Sequence, residues 1–108
     1  MKQTLLVKHA VSGRMFFDSK TQHVAYTLTE QGDGWLLEIE SPKDEKVEAL
    51  IQVKEELNVF IFTTYEDQPT LKTWYYVKDG PVQYDIDRER LVIYAHSRIE
   101  YYPHEYAQ

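Results

Sequence analysis

Apolar and polar residues alternate along most of the chain, and this alternation has the period of a β-strand. The clearest run covers residues 91–102 and ends at Pro103. One row of this run is core-like and the other is polar and aromatic. The core-like row is Leu91, Ile93, Ala95, Ser97 and Ile99, and the opposite row is Val92, Tyr94, His96, Arg98, Glu100 and Tyr102. We therefore predict one long, half-buried last strand.

Shorter alternating runs at 5–11, 15–18, 24–28, 35–39, 71–77 and 82–86 predict further strands. Turn-forming residues lie between them, notably in the segments 31–34 and 79–81. The run 58–65 is apolar on both faces, which is typical of a central strand covered on two sides. The sequence thus predicts about eight strands joined by short connections, which require antiparallel neighbours.

The segment 42–57 fits two structures. Ser41 and Pro42 are typical of a helix start, and Asp44 and Glu45 suit a first helical turn. The same segment also alternates from Val47 to Val53, as a strand does. We therefore expect a single domain, 1–108, that is mainly β: an antiparallel meander closing as a small barrel or sandwich. The alternative is an α+β fold with one helix near 42–57 packed on the sheet.

Composition restricts the classes of site. The chain has no cysteine, which excludes disulfides and thiolate chemistry. No stretch approaches the roughly 18 apolar residues of a membrane helix, and the N-terminal apolar run is too short for a secretory signal. We expect a cytoplasmic protein without a membrane partner. No glycine-rich phosphate loop or histidine pair at metal-ligand spacing is present, so no metal and no cofactor is predicted.

Acidic residues are concentrated in the middle of the chain. The net charge is −6, and the segment 30–67 holds eleven acidic and three basic residues. Such a surface repels phosphates and disfavours nucleic acid, whereas it suits a basic protein partner. The predicted acidic partner face consists of Glu38, Glu40, Asp44, Glu45, Glu48, Glu55 and Glu56.

Aromatic residues are unusually frequent, with nine tyrosines, four phenylalanines and two tryptophans. Tyrosine and tryptophan are enriched at binding interfaces. In the run 71–77, alternation places Trp74 and Tyr76 on one face and Tyr75 on the other. The predicted ligand or partner face consists of Trp74, Tyr76, Tyr94, His96, Arg98 and Tyr102.

Three functional hypotheses follow. The first is a non-enzymatic interaction or regulatory protein, such as an adaptor, an inhibitor or an immunity-type protein, with an acidic face for its partner. The alternative is a small-molecule-binding β-barrel. The third is an enzyme using His96 with a neighbouring tyrosine or carboxylate, which the missing catalytic motifs disfavour. His9 is expected at the edge of the core with a satisfied ring nitrogen. A homodimer is compatible with all three hypotheses, because an exposed edge strand can pair with its copy.

Overall fold

The computed structural model describes residues 2–77 and 81–102, which form nine β-strands and two short helices. The expected turn at 79–81 lies mostly outside these residues, as does Pro103. The strands are β1 (Lys2–His9), β2 (Met15–Asp18), β3 (Tyr26–Gln31), β4 (Gly34–Glu40), β5 (Leu57–Thr64), β6 (Leu71–Tyr76), β7 (Val82–Asp85), β8 (Arg90–Ala95) and β9 (Ser97–Tyr101). The helices are α1 (Glu45–Gln52) and a 3-10 helix, Lys54–Glu56.

The strands form two antiparallel sheets. The five-stranded sheet has the order β2-β1-β5-β6-β9, and the four-stranded sheet has the order β3-β4-β8-β7. Neither sheet closes on itself, so the mainly β prediction is confirmed in its sandwich form and not as a barrel. Four consecutive pairs of strands are hairpins, as the short connections predicted.

The core lies between the inner faces of the sheets. Leu5 and Val7 of β1 are fully buried there, opposite Ile39, Leu91 and Ile93 of the four-stranded sheet. Alternation along each strand accounts for this, because every second side chain points to the same face. The predicted central strand is β5, which has β1 on one side and β6 on the other.

Helix α1 confirms the helical alternative for the segment 42–57, although it begins at Glu45 and not at Pro42 as the start signals suggested. Its N-cap is Asp44, whose carboxylate accepts a hydrogen bond from the Val47 N–H over 2.9 Å. Val47 and Leu50 are fully buried in the core, one turn apart on the same side of the helix. The cap therefore selects the helix over the alternating strand, since it satisfies a backbone donor that a helix start leaves free.

The predicted last strand is two strands. The chain bends at His96, so that β8 pairs with β4 and β7 in one sheet, while β9 pairs with β6 in the other. Leu91, Ile93 and Ala95 are buried as expected, whereas Ser97 and Ile99 are exposed. The two rows exchange faces because the chain crosses from one sheet to the facing one.

Among residues 2–77 and 81–102, no helix combines the length and the hydropathy needed to span a bilayer.

Candidate functional site

The outer face of the five-stranded sheet carries a row of large side chains. Leu6, Phe60 and Trp74 are register neighbours on β1, β5 and β6, and Ile99 of β9 continues the row. Phe62 and Tyr76 flank it on the same face, two residues along their strands. We call Leu6, Phe60, Phe62, Trp74 and Tyr76 the aromatic surface. The prediction that Trp74 and Tyr76 share a face is confirmed, and Tyr75 between them is buried.

Phe60, in the middle of the aromatic surface, is covered by its own neighbours. Phe60 is only 7% exposed, although it lies on the outer side of the sheet. The ammonium of Lys72 is 4.2 Å from the centre of its ring and that of Lys8 is 5.6 Å away. Lysine stems can cover apolar rings in this way while their charges stay in water. These two lysines therefore hold positive charge directly above the surface.

Trp74 occupies a fixed position in this surface. Its ring centre lies 4.6 Å from that of Tyr76 and 5.8 Å from that of Phe60. Its indole Nε1–H donates to Asn58 Oδ1 over 3.2 Å. Packing and a hydrogen bond thus set the orientation of a half-buried indole, which lowers the entropy it loses on binding a partner.

Positive charge continues along the β1 side of this face. A depression of about 530 Å³ is lined by Leu6 and Phe62 of the aromatic surface and by Lys2 and Lys20, with Asp18 among its other lining residues. Together with Lys8 and Lys72, the face and its rim thus carry four lysines. The chain as a whole has a net charge of −6. The sequence did not predict this basic region, because the four lysines are scattered along the chain.

A second depression lies at the other end of the aromatic surface. It has a volume of about 670 Å³, and its lining includes Glu55, Asn58, Tyr76, His96 and Ser97. This depression is thus lined by Tyr76, which belongs to the aromatic surface, and by Asn58, which accepts the hydrogen bond from Trp74. His96 contributes an imidazole and Glu55 a carboxylate, so the depression offers polar partners beside an aromatic ring.

The remaining predicted partner residues do not form one face. Tyr94 lies on the outer side of the four-stranded sheet, where its hydroxyl donates to the Gln31 carbonyl over 3.2 Å. The ring of His96 is edge-to-face with that of Tyr94, with 5.1 Å between their centres. Tyr102 follows β9 directly and is half-buried. The structure therefore brings together Trp74 with Tyr76, and His96 with Tyr94 and Tyr76.

Arg98 points between the sheets. Its guanidinium lies 4.7 Å from the ring centre of Trp35, and Nη1 donates to the Tyr75 hydroxyl over 3.4 Å. Glu100 is 3.8 Å from the same guanidinium. Nearby, burial raises the pKa of the Tyr26 hydroxyl, and the Tyr75 hydroxyl adds to this effect. Arg98 thus closes one end of the core and is not on the face that carries Trp74.

The predicted acidic partner residues are distributed over several elements. Glu38 and Glu40 lie on β4, where Arg88 and Arg90 neutralise them over 3.0 to 4.0 Å. Asp44 caps α1, and Glu56 is paired with His9. Among the described residues, Asp44, Glu45, Glu48 and Glu55 have no ion pair, and of these only Asp44 is engaged, by the helix cap. Engaged carboxylates offer less to a basic partner, because a new ion pair must replace an existing one.

His9 joins two loops. Its Nδ1 is 2.7 Å from Ser12 Oγ and its Nε2 is 2.7 Å from Glu56 Oε1, so both ring nitrogens have partners, as expected. The Ser12 hydroxyl also accepts a hydrogen bond from the Arg14 N–H over 3.2 Å. A serine bonded to the peptide of its own turn and to a histidine fixes that turn. We therefore assign this cluster to the β1–β2 connection.

The described residues contain no group of three or more histidine, aspartate or glutamate side chains placed to hold a metal ion. The space between the sheets is filled by buried apolar side chains of both. The depressions described above lie at the surface, so the aromatic surface and its two flanking depressions form the candidate site.

Comparison of the chain with protein-family models, curated proteins and solved structures finds no match.

Proposed function

We propose that the protein is a non-enzymatic interaction protein that binds an acidic segment of a partner protein on its aromatic surface. The observation that carries the proposal is the combination of Trp74, Phe62 and Tyr76 with the ammonium groups of Lys8 and Lys72 on one sheet face. Tryptophan and tyrosine supply much of the binding energy in protein interfaces. The lysines select for carboxylates among the side chains that approach.

The charge distribution supports an acidic protein segment over a nucleic acid. The face carries positive charge locally, but the whole chain has a net charge of −6. The phosphate backbone of a nucleic acid extends beyond a single sheet face and is repelled by the rest of the negatively charged chain. A short segment with a few carboxylates and apolar side chains meets only the basic region.

The same charges favour the aromatic surface over the acidic region as the binding site. Glu38 and Glu40 already have arginine partners, and Asp44 caps the helix. Lys8 and Lys72 lie over aromatic rings, Lys72 over those of Phe60, Phe62 and Tyr101. Neither lysine forms an ion pair with a carboxylate of residues 2–77 or 81–102. Such a lysine can accept a carboxylate without giving up an ion pair.

Binding of a defined probe tests the proposal. The probe is a fluorescein-labelled peptide of alternating glutamate and phenylalanine, and fluorescence anisotropy measures its Kd. We expect saturable binding that weakens as salt rises. Trp74→Ala and Lys72→Glu should each weaken it by about tenfold or more. Leu36→Ala on the other sheet and Lys43→Glu beside α1 are the matched controls and should leave the Kd unchanged.

Three results would contradict the proposal. One is the absence of saturable binding of the glutamate–phenylalanine peptide. Another is equal binding of a peptide in which glutamine replaces every glutamate. The third is tighter binding of an oligothymidylate of similar length, which would assign the surface to single-stranded nucleic acid, where aromatic stacking also operates.

A further inference from the structure

Strand β9 forms an edge of the five-stranded sheet. It pairs with β6 on one side, and no described strand pairs with its other side. Ser97, Arg98, Ile99 and Glu100 are all exposed, and the Ile99 side chain is 46% exposed. Edge strands present unpaired N–H and C=O groups and are templates for pairing with another chain.

The order of residues in β9 is complementary to itself. When two antiparallel copies of this strand pair about Ile99, residue 98 of one copy faces residue 100 of the other. Residue 98 is an arginine and residue 100 is a glutamate. Each copy therefore places a positive charge opposite a negative one, twice in the same pair of strands. Opposite charges directly across an antiparallel pair stabilise it.

We propose that the protein forms a dimer in which β9 of two copies pair antiparallel about a two-fold axis through Ile99. Arg98 then lies opposite Glu100 of the partner subunit, and Ile99 lies opposite Ile99 of the partner subunit. The two five-stranded sheets become one continuous sheet. The dimer proposal is argued from the edge strand β9 and its charges. It is independent of the proposed binding of an acidic segment to the aromatic surface.

The side chains of β9 are directed as this pairing requires. Arg98 and Glu100 are register partners of Tyr75 and Thr73, which are both buried, so the two charges project on the inner side. They are 3.8 Å apart within one chain. In the dimer four charges of alternating sign lie side by side. Each charge then has a neighbour of opposite sign within its own chain and another across the axis.

The charges also select the register. If Arg98 faces Arg98 of the partner subunit, two positive charges meet, and if Glu100 faces its own copy, two negative charges meet. Like charges directly opposite destabilise a strand pair. The register about Ile99 is the one that brings both opposite-charge pairs together, so the strand specifies its own alignment.

Ile99 contributes on the other side of the sheet. It follows Leu6, Phe60 and Trp74 in one row across the outer face. The two-fold axis continues this row into the same row of the partner subunit. Pairing therefore buries part of an exposed isoleucine and doubles the length of the apolar row.

Sedimentation equilibrium of the full chain over a concentration series tests the dimer. We expect a reversible monomer–dimer equilibrium. Ile99→Lys should weaken the dimer by about tenfold or more, because it places two like charges on the axis. Ile86→Lys is the matched control, since Ile86 is an exposed turn residue at 69% exposure, and it should leave the dimer Kd unchanged. A monomer at every concentration, or equal effects of the two variants, would overturn the proposal.

A mixing experiment tests the charge pairing itself. Glu100→Arg gives a strand with two arginines, and Arg98→Glu gives a strand with two glutamates, so each variant alone should dimerise at least about tenfold more weakly. An equimolar mixture should recover a heterodimer, because every arginine then faces a glutamate. If the mixture associates no better than its components, the pairing about Ile99 is wrong. Circular dichroism checks that each variant is folded. If Arg98→Glu does not fold, the comparison of Ile99→Lys with Ile86→Lys still tests the dimer.

Discussion

The guanidinium of Arg98 lies 4.7 Å from the ring centre of Trp35 and thereby joins the edge strand of one sheet to the facing sheet. The ring of Trp35 is in turn edge-to-face with that of Tyr75, with 5.9 Å between the centres. A charged residue at the end of the core thus covers aromatic side chains that would otherwise face water.

Arg98→Lys should lower the stability of the monomer. Lysine keeps the charge, but it loses the flat guanidinium that stacks on the indole and the donor that reaches Tyr75. We expect a loss of about 0.5 to 1 kcal/mol in the free energy of unfolding. Urea denaturation at low protein concentration measures it, with Arg88→Lys as the exposed control. Equal midpoints for Arg98→Lys and the unmodified chain would show that the stacking contributes nothing.

Gly34→Ala should destabilise the protein by about 1 to 3 kcal/mol, because there is no room for a side chain. A Cβ at this position would overlap the carbonyl oxygen of Ala95 and would meet the hydroxyl of Tyr94 at 2.6 Å. The carbonyl belongs to the neighbouring strand and cannot move without disturbing the sheet. Thermal unfolding compares the variant with the unmodified chain.

Gly32→Ala is the control for this effect. Gly32 has a φ of 60° and nothing within 4 Å of an added Cβ. It should cost about 1 kcal/mol from backbone strain alone. The two variants thus separate steric exclusion from strain. A cost for Gly34→Ala at or below that for Gly32→Ala would contradict the close approach of β4 and β8.

Asp44→Ala should cost about 1 kcal/mol of stability, whereas Asp44→Asn should cost little. Both variants remove the negative charge, but only asparagine keeps a side-chain oxygen for the Val47 N–H. Chemical denaturation with circular dichroism at the helix signal compares them. Equal losses for alanine and asparagine would assign the contribution of Asp44 to its charge and not to the cap.

Tyr84 should make stability fall at alkaline pH. Its hydroxyl donates to the Ser41 carbonyl over 2.6 Å, and burial, together with Glu89, Asp44 and Asp85, raises its pKa above the ordinary value of 10.0. The folded state therefore holds this proton more tightly than the unfolded chain. Its contribution is complete below pH 10.0 and is lost as the pH rises through the folded-state pKa.

Tyr84→Phe tests this linkage. The variant should unfold at lower urea at pH 7, because the hydrogen bond to Ser41 is gone. Above pH 10 the variant should lose less stability than the unmodified chain, because the titration of Tyr84 no longer contributes. Part of the loss remains in both proteins, since Tyr26, whose pKa is also raised, titrates in both. Parallel curves of stability against pH for the two proteins would show that Tyr84 titrates alike in the folded and unfolded states.

Local patterns predicted the strands well because alternation depends only on which side of a strand faces the core. The same property hid the division at His96. Alternation continues without interruption from Leu91 to Tyr101, but the chain changes sheets between β8 and β9. Arg98 therefore points inward and Ile99 outward. This is the reverse of the prediction, which placed Ile99 in the same core-like row as Leu91. Only tertiary pairing decides which side of a strand is the inner one.

The candidate site was predictable only in part. Trp74 and Tyr76 could be placed on one face because they are two residues apart. Phe60 and Phe62 were expected under a second covering layer, since their strand is apolar on both faces. In the structure Lys8 and Lys72 cover Phe60 instead. Those lysines are far apart in sequence and meet only through the pairing of β1, β5 and β6.

Chemical-shift mapping of the two indole N–H groups tests the aromatic surface most directly. Trp74 lies on the outer face of its sheet, whereas Trp35 is packed between the sheets against Tyr75 and Arg98. Titration of ¹⁵N-labelled protein with the unlabelled glutamate–phenylalanine peptide should shift the Trp74 indole signal in a saturable way. The Trp35 indole should remain in place. A Trp74 signal that does not move, or that moves no more than the Trp35 signal, would contradict binding at the aromatic surface.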